Sequence, residues 1–249
     1  MRTFLICSGI HGRIGALEWL RRTVERRQPD GILFAGGVLG PSRRYEPRDG
    51  TPWGLSRPDA LFVERFFATL GRLGRFAAVI PGPFDTPLDE FLRLGLHAEI
   101  DHPGLHVAHA TLIEHKDVAV CGLGGRLVEE PVPERDTFAT ARALYHLRPL
   151  WTARQPRKVL LLPAPPVDGL GGADGNPVAN ALVDSLHPTL CVLGGPAPRR
   201  ARWVAGTLVV APGCLADGRA AWLDWGRPPG AQVEFLYRRE VEAEAAVGD

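Results

Sequence analysis

The chain has 249 residues, of which 29 are basic and 28 acidic, so its formal net charge is +1. This length is sufficient for a buried core without disulfide bonds. A nearly neutral chain has no overall field that would attract nucleic acid or an anionic membrane. The four cysteines are isolated, without the C-x-x-C spacing typical of metal sites. No apolar stretch reaches membrane-spanning length, and we expect a soluble, cytoplasmic protein with reduced cysteines.

Apolar periodicity predicts alternating strands and helices in the first hundred residues. The predicted strands are residues 2–7, 31–35 and 76–80; the predicted helices are one carrying Leu17, Leu20 and Val24, one at 60–73 and one at 87–96. Leu61, Phe62, Phe66 and Leu70 are expected to share the buried face of the second helix. Thr86 is expected to cap the third helix, with Pro87 at its first position.

The remainder of the chain is predicted to contain further helices and many short strands. Residues 105–113 and 118–121 resemble a hairpin, followed by a helix at 137–153, a strand at 158–162 and a helix at 178–186. Five short strands separated by Gly and Pro turns then predict a β-meander at 190–193, 202–204, 207–210, 220–225 and 232–237. We predict an α/β fold in one domain over residues 3–238, with an insertion loop at 40–58 and a frayed tail at 239–249.

Turns at the ends of the predicted strands are where ligands bind in open α/β sheets. Five of them stand out, at residues 8–12, 36–40, 82–85, 162–166 and 193–197. Their order and spacing resemble the calcineurin-like metallophosphoesterases, whose turns read S-D-x-H-G, G-D-x-x-G, G-N-H-D, H-x-P-P and G-H-x-H. Residues 206–213 and 221–224 resemble the closing strands of that family. The resemblance covers about residues 3–225.

The resemblance implies a four-layer α/β/β/α fold, a β-sandwich flanked by helices. It also implies two divalent ions about 3.5–4 Å apart that activate water for phosphoester hydrolysis. Carried over residue by residue, His11 is the one direct ligand of seven that this chain keeps. Six ligand positions are vacated: Gly9, Gly37, Pro83, Pro163, Gly195 and Ala197. Such residues offer no side-chain donor to a metal, and we expect no metal and no cofactor.

Two remnants of the family's chemistry stand beside the vacated positions. Phe84 occupies the place of the catalytic histidine, and Asp85 the place of the aspartate that orients it. We expect His11 to be hydrogen-bonded to the backbone rather than to act as a ligand or base. Asp85 is expected to cap the following helix or to end a turn. Whether Phe84 fills the former metal pocket is left open.

Several arginines near the turns allow another kind of site. Arg13, Arg43, Arg44, Arg199 and Arg200 form either a solvated basic rim, which we favour, or a metal-free phosphate or nucleotide site. The preferred hypothesis for function is a pseudoenzyme that binds a protein partner or self-associates as an assembly subunit. The alternatives are a metal-free binder of a phosphate-containing small molecule, and a residual phosphoesterase that uses His11 and Asp85.

Overall fold

The computed structural model describes residues 1–41, 54–133, 136–167, 175–195 and 198–239. The strands are β1 (Thr3–Cys7), β2 (Gly31–Ala35), β3 (Phe76–Ile80), β4 (Leu105–Val107), β5 (Ile113–His115), β6 (Val118–Gly122), β7 (Arg126–Leu127), β8 (Thr137–Phe138), β9 (Arg157–Leu162), β10 (Leu190–Leu193), β11 (Arg200–Val204), β12 (Thr207–Ala211), β13 (Arg219–Asp224) and β14 (Val233–Tyr237). The helices are α1 (Ile14–Arg27), α2 (Arg57–Arg72), α3 (Leu88–Asp101), α4 (Thr140–Leu147), α5 (Pro149–Thr152) and α6 (Pro177–Leu186), with a 3-10 helix at Leu215–Asp217.

Within these residues, most strands belong to two six-stranded mixed sheets. The first sheet has the order β14-β13-β1-β2-β3-β4, and the second has the order β11-β12-β10-β9-β6-β5. β7 and β8 form a separate two-stranded ladder. The predicted architecture of two sheets flanked by helices is confirmed.

Alternation along the strands explains how the sheets become the middle layers. In β1, Phe4 and Ile6 face the core between the sheets, whereas Leu5 and Cys7 face the core under α1 and α2. Apolar residues that are buried on both faces explain why this strand reads as a continuous apolar run rather than an alternating one. Helices α4 and α6 cover the outer face of the second sheet in the same way.

Three helix predictions need correction. Leu61 is 56 % exposed and does not lie on the buried face of α2. α3 begins at Leu88 with Pro87 at the N-cap, so Thr86 is not its cap. The helix predicted at 137–153 begins as strand β8 and is divided into α4 and α5 at Pro149, where proline cannot donate the backbone hydrogen bond that a continuous helix needs.

The strand partners also differ from the prediction. β4 pairs with β3 in the first sheet, while the hairpin consists of β5 and β6 in the second. The predicted C-terminal meander is wrong, because β10, β11 and β12 lie in the second sheet whereas β13 and β14 lie in the first. β10 pairs in parallel with both of its neighbours, which a meander does not allow. No helix among the described residues is long and apolar enough to cross a membrane.

Candidate functional site

The turns highlighted by the sequence meet at one edge of the sandwich. The first three turns follow β1, β2 and β3, which run parallel, so their carboxyl ends lie side by side. The turn after β10 packs against them, since a Cβ added to Gly194 would lie 1.9 Å from the carbonyl oxygen of Ala35. The structure therefore brings together turns from both sheets, and Ala197 of the fifth turn lies outside the described residues.

The first two turns are joined directly through their backbones. Gly9 donates its backbone N–H to the carbonyl of Gly36 at 2.9 Å, and Ile10 donates to the carbonyl of Gly37 at 2.7 Å. Gly37 has φ +78°, and a Cβ placed on it would lie 3.0 Å from the Cα of Gly9. Glycine adopts this backbone conformation without the strain that a Cβ would add, and it allows this close approach. The family's bridging aspartate, carried over to position 37, would have its Cβ against the neighbouring backbone.

Asp85 joins two segments of this cluster, the turn after β2 and its own turn after β3. Its side chain is fully buried and accepts backbone N–H groups of Gly37 at 2.9 Å, Val38 at 3.1 Å, Leu39 at 2.6 Å and Gly82 at 2.7 Å. Burial raises the pKa of this carboxyl, while the four N–H groups act in the opposite direction. Asp85 thus bonds within its own turn, which was one of the two alternatives predicted from the sequence. It does not cap α3.

His11 contacts a thiol that sequence reasoning did not connect with it. Its backbone has φ 53°, and its Nδ1 lies 3.7 Å from Sγ of Cys214, which donates to the carbonyl of Gly9 at 3.1 Å. Burial lowers the pKa of His11, and burial raises the pKa of Cys214. The imidazole is therefore favoured in its neutral form and the thiol in its protonated form. The expected backbone hydrogen bond is replaced by this contact.

Phe84 does not fill a former metal pocket. Its side chain is 47 % exposed at the tip of the turn after β3, while Pro83 is half-buried and Pro163 is buried. The turns themselves are joined by glycine backbone and by the hydrogen bonds of Asp85. The question that the sequence left open is answered by the exposure of the ring.

The side chains at this edge do not fit the family's binuclear metal centre. Among the residues that the structure describes, no group of three or more His, Cys, Asp or Glu side chains is placed to hold a metal ion. Such a centre needs several oxygen and imidazole ligands on each ion. His11 has Cys214 as its polar neighbour, and Asp85 is turned into backbone hydrogen bonds.

The arginines predicted as one group lie in different places. Arg13 donates from Nη1 to the carbonyl of Ala216 at 3.2 Å. The Arg199 guanidinium lies over the rings of Tyr237, at 3.9 Å, and Phe235, at 4.8 Å. Arg200 is exposed and, one residue further along the chain, points toward the opposite face of the second sheet. Arg43 and Arg44 lie outside the described residues.

Two packed mixed sheets with helices outside and clustered turns at one edge define a class of α/β sandwich. The model of the family described as metallophosphoesterase, calcineurin superfamily, matches residues 1–228. The chain therefore belongs to the calcineurin-like metallophosphoesterase superfamily. A search of the curated proteins finds no match to the sequence.

Solved structures share this fold. The protein TT1561 of Thermus thermophilus is 24 % identical over 96 % of this chain and 99 % of that chain, with a TM-score of 0.81. A novel archaeal phosphodiesterase is 10 % identical over 94 % of this chain and 99 % of its own, with a TM-score of 0.53. GAP50, the anchor in the inner membrane complex of Plasmodium, is 10 % identical over 95 % of this chain and 78 % of its own, with a TM-score of 0.53. At these identities the similarity concerns the fold.

Proposed function

We propose that this metallophosphoesterase-family protein has lost the metal-dependent chemistry of its family and acts as a protein-binding or assembly subunit. The observation that carries the proposal is the closed turn cluster, where glycine backbone from the second turn lies against the first. Six of the seven ligand positions implied by the family resemblance hold Gly, Pro or Ala. None of these side chains donates to any metal, so a change of metal does not rebuild the centre.

Residual hydrolysis by His11 and Asp85 is disfavoured by the hydrogen bonds of the carboxylate. A carboxylate has about four lone-pair positions for hydrogen bonds, and from the described part of the chain Asp85 already accepts four N–H groups. Three of these groups bond to Oδ2 and one to Oδ1, so most of the acceptor capacity that could orient an imidazole is used by the backbone. His11 instead faces Cys214, whose pKa is raised by burial.

The exposed side chains at this edge support a binding role. Phe84, within the turn after β3, is 47 % exposed, and Ile14, the first residue of α1 after the turn at 8–12, is 41 % exposed. Aromatic side chains such as Phe84 are enriched at protein interfaces relative to the rest of the surface. GAP50 offers a precedent, because it is described as an anchor and its fold resembles this one.

Hydrolysis is tested with bis(4-nitrophenyl) phosphate in excess Mn²⁺. We expect the rate with purified protein to equal that of the protein-free blank, and His11→Ala to leave it unchanged. A rate above the blank that disappears in His11→Ala would contradict the proposal, because it would restore His11 to a catalytic role.

Partner binding is tested by replacing Phe84 with a photo-crosslinking phenylalanine in living cells. We expect a discrete crosslinked protein or homodimer after irradiation. The matched control carries the same residue at Tyr145, which is 61 % exposed on α4, away from the turns. Equal crosslinking at both positions, or none at position 84, would count against a binding role for this edge.

A further inference from the structure

A pair of arginines lies beside the turn cluster, on the edge formed by β11 and β14. Arg199 immediately precedes β11, and its guanidinium lies over Tyr237 and Phe235 of β14. Its Nη1 is inaccessible to solvent and has no hydrogen-bond partner in the described part of the chain. Leaving this N–H without an acceptor is costly. Because Nη1 is closed to solvent, an external acceptor has to approach the other N–H groups of the same guanidinium.

Arg219 approaches the same place from β13. A Cβ placed on Gly213 would lie 3.1 Å from the Cβ of Arg219 and 3.5 Å from the Cβ of Arg199, so both side chains start from the same point. Arg219 is also the strand partner of Tyr237, on whose ring Arg199 lies. The two arginines therefore start from neighbouring positions beside Tyr237, and the guanidinium of Arg199 lies on its ring.

The charge of this pair is not balanced by neighbouring carboxylates. Among the described residues, neither Arg199 nor Arg219 forms a salt bridge, although the exposed Asp217 lies on the adjacent 3-10 helix. Like charges placed together repel each other, and a bound anion removes that repulsion. The unbalanced pair therefore favours an anionic ligand over a cationic or apolar one.

Stacking on Tyr237 and Phe235 also restricts the orientation of the guanidinium. A planar guanidinium held by ring faces keeps its N–H groups in a fixed fork, which matches the oxygens of a phosphate group in a bidentate contact. We propose that Arg199 and Arg219 form a metal-free binding site for a phosphate group, either free orthophosphate or a phosphate monoester. The site is independent of any protein partner.

This site differs from the arginine group expected from the sequence. Arg219 replaces Arg200, which points to the other face of the sheet. Gly213 places the proposed arginine site next to the turn cluster. Its carbonyl accepts a hydrogen bond from the hydroxyl of Ser8 at 3.1 Å, and the adjacent Cys214 contacts Gly9.

The test is calorimetric titration of the full chain with orthophosphate and, separately, adenosine monophosphate at constant ionic strength. We expect saturable binding of at least one of them at one site per chain; the stronger of the two identifies the free or the esterified form. Arg219→Gln should weaken binding about tenfold, the usual effect of losing one charged hydrogen bond. Arg22→Gln removes the same charge from an exposed position of α1 and should change affinity by less than about twofold.

Arg199→Lys separates charge from geometry, because it keeps the cation but loses the planar fork. We expect it to weaken binding about as much as Arg219→Gln, with circular dichroism unchanged. Absence of saturable binding for both ligands would overturn the proposal. Equal weakening by Arg22→Gln and Arg219→Gln would also overturn it, because only the net charge would then matter.

Discussion

The turn cluster and the neighbouring arginine pair differ in how their buried polar groups are hydrogen-bonded. Asp85 is completely buried and accepts four backbone N–H groups from the described turns. Arg199 has a buried Nη1 that meets no acceptor among the described residues. The first is a carboxylate whose hydrogen bonds go to backbone N–H groups, whereas the second is a guanidinium with an N–H group that lacks an acceptor.

This contrast shows how the family's edge is rebuilt without metal ligands. Where the family resemblance implies two aspartates, Gly9 and Gly37 allow the backbones of two turns to meet. The retained Asp85 joins the turns after β2 and β3 through backbone hydrogen bonds. The groups proposed to bind a partner or a phosphate, Phe84 and the pair of Arg199 and Arg219, lie at the rim of these turns.

Removing the carboxylate of Asp85 is expected to have the largest effect on the free energy of unfolding. Asp85→Ala leaves four buried N–H groups without their acceptor and should lower the free energy of unfolding by about 4 kcal/mol. Urea denaturation measures this change. Asp85→Asn keeps one carbonyl oxygen and should lose less. Asp184→Ala, an exposed position on α6, should stay within about 0.5 kcal/mol of the wild type. A loss as small as that in Asp85→Ala would refute a structural role for the carboxylate.

His109, like Asp85, accepts a backbone N–H group, and its lowered pKa leads us to expect that the stability of the fold decreases in acid. It accepts the backbone N–H of Gly124 at Nδ1, at 2.9 Å, and burial together with the nearby His146 lowers the pKa of His109 from 6.5 to about 4. Between pH 6.5 and pH 4, His109 is therefore protonated in the unfolded chain but mostly neutral in the folded chain. The contribution of neutral His109 to the free energy of unfolding is fully present above pH 6.5. It falls by up to about 3 kcal/mol as the pH decreases to 4.

The measurement compares free energies of unfolding at pH 7 and pH 4. His109→Gln cannot gain this proton, so its loss of stability between the two pH values should be smaller than that of the wild type by about 3 kcal/mol. His97→Gln, at an exposed position of α3, should show the wild-type loss. Identical pH dependence in His109→Gln and the wild type would exclude His109 as the titrating group.

Restoring a ligand in the closed cluster is expected to destabilise the fold without creating a metal site. Gly37→Asp and Gly206→Asp both place a side chain on left-handed backbone, at φ +78° and +85°. A Cβ at Gly206 meets nothing within 4 Å, whereas one at Gly37 lies 3.0 Å from the Cα of Gly9. The crowding should make Gly37→Asp less stable than Gly206→Asp by about 2 kcal/mol in thermal or urea unfolding. Equal stabilities would mean that the turns can separate to admit a ligand.

Arg200→Ala is expected to have the smallest effect. Because Arg200 is exposed and points away from Arg199, its loss should change the free energy of unfolding by less than about 0.5 kcal/mol. Phosphate affinity should change by less than about twofold. A tenfold loss of affinity in calorimetry would instead assign the anion to the other face of the sheet.

The fold was predictable because the apolar pattern of the strands and the order of the turns along the chain indicate it. The strands predicted at 31–35 and 76–80 coincide with β2 and β3, and the two-sheet architecture implied by the family resemblance is confirmed. The predicted meander failed because short C-terminal strands have similar local patterns in either sheet. Their partners are set by pairing over long distances in the chain, as between β1 and β13.

The candidate site was less predictable than the fold. The turn positions come together as the sequence indicated, but their contacts depend on residues far apart, such as His11 with Cys214 and Arg199 with Tyr237. Single-sequence spacing carries no signal for such pairs. The family's closing turn at Pro212 and Gly213 was a usable indication that Cys214 returns to the cluster. The domain limits, the vacated ligand positions and the partner stay predictions.

Metal stoichiometry decides whether the turn cluster holds a binuclear centre. The purified full chain is incubated with excess Mn²⁺, desalted and measured by plasma mass spectrometry. We expect a value near zero per chain, with Gly37→Asp no higher. A value near two per chain, as in a two-metal phosphoesterase, would show that the turns hold a binuclear centre and would return the protein to the hydrolases of its family.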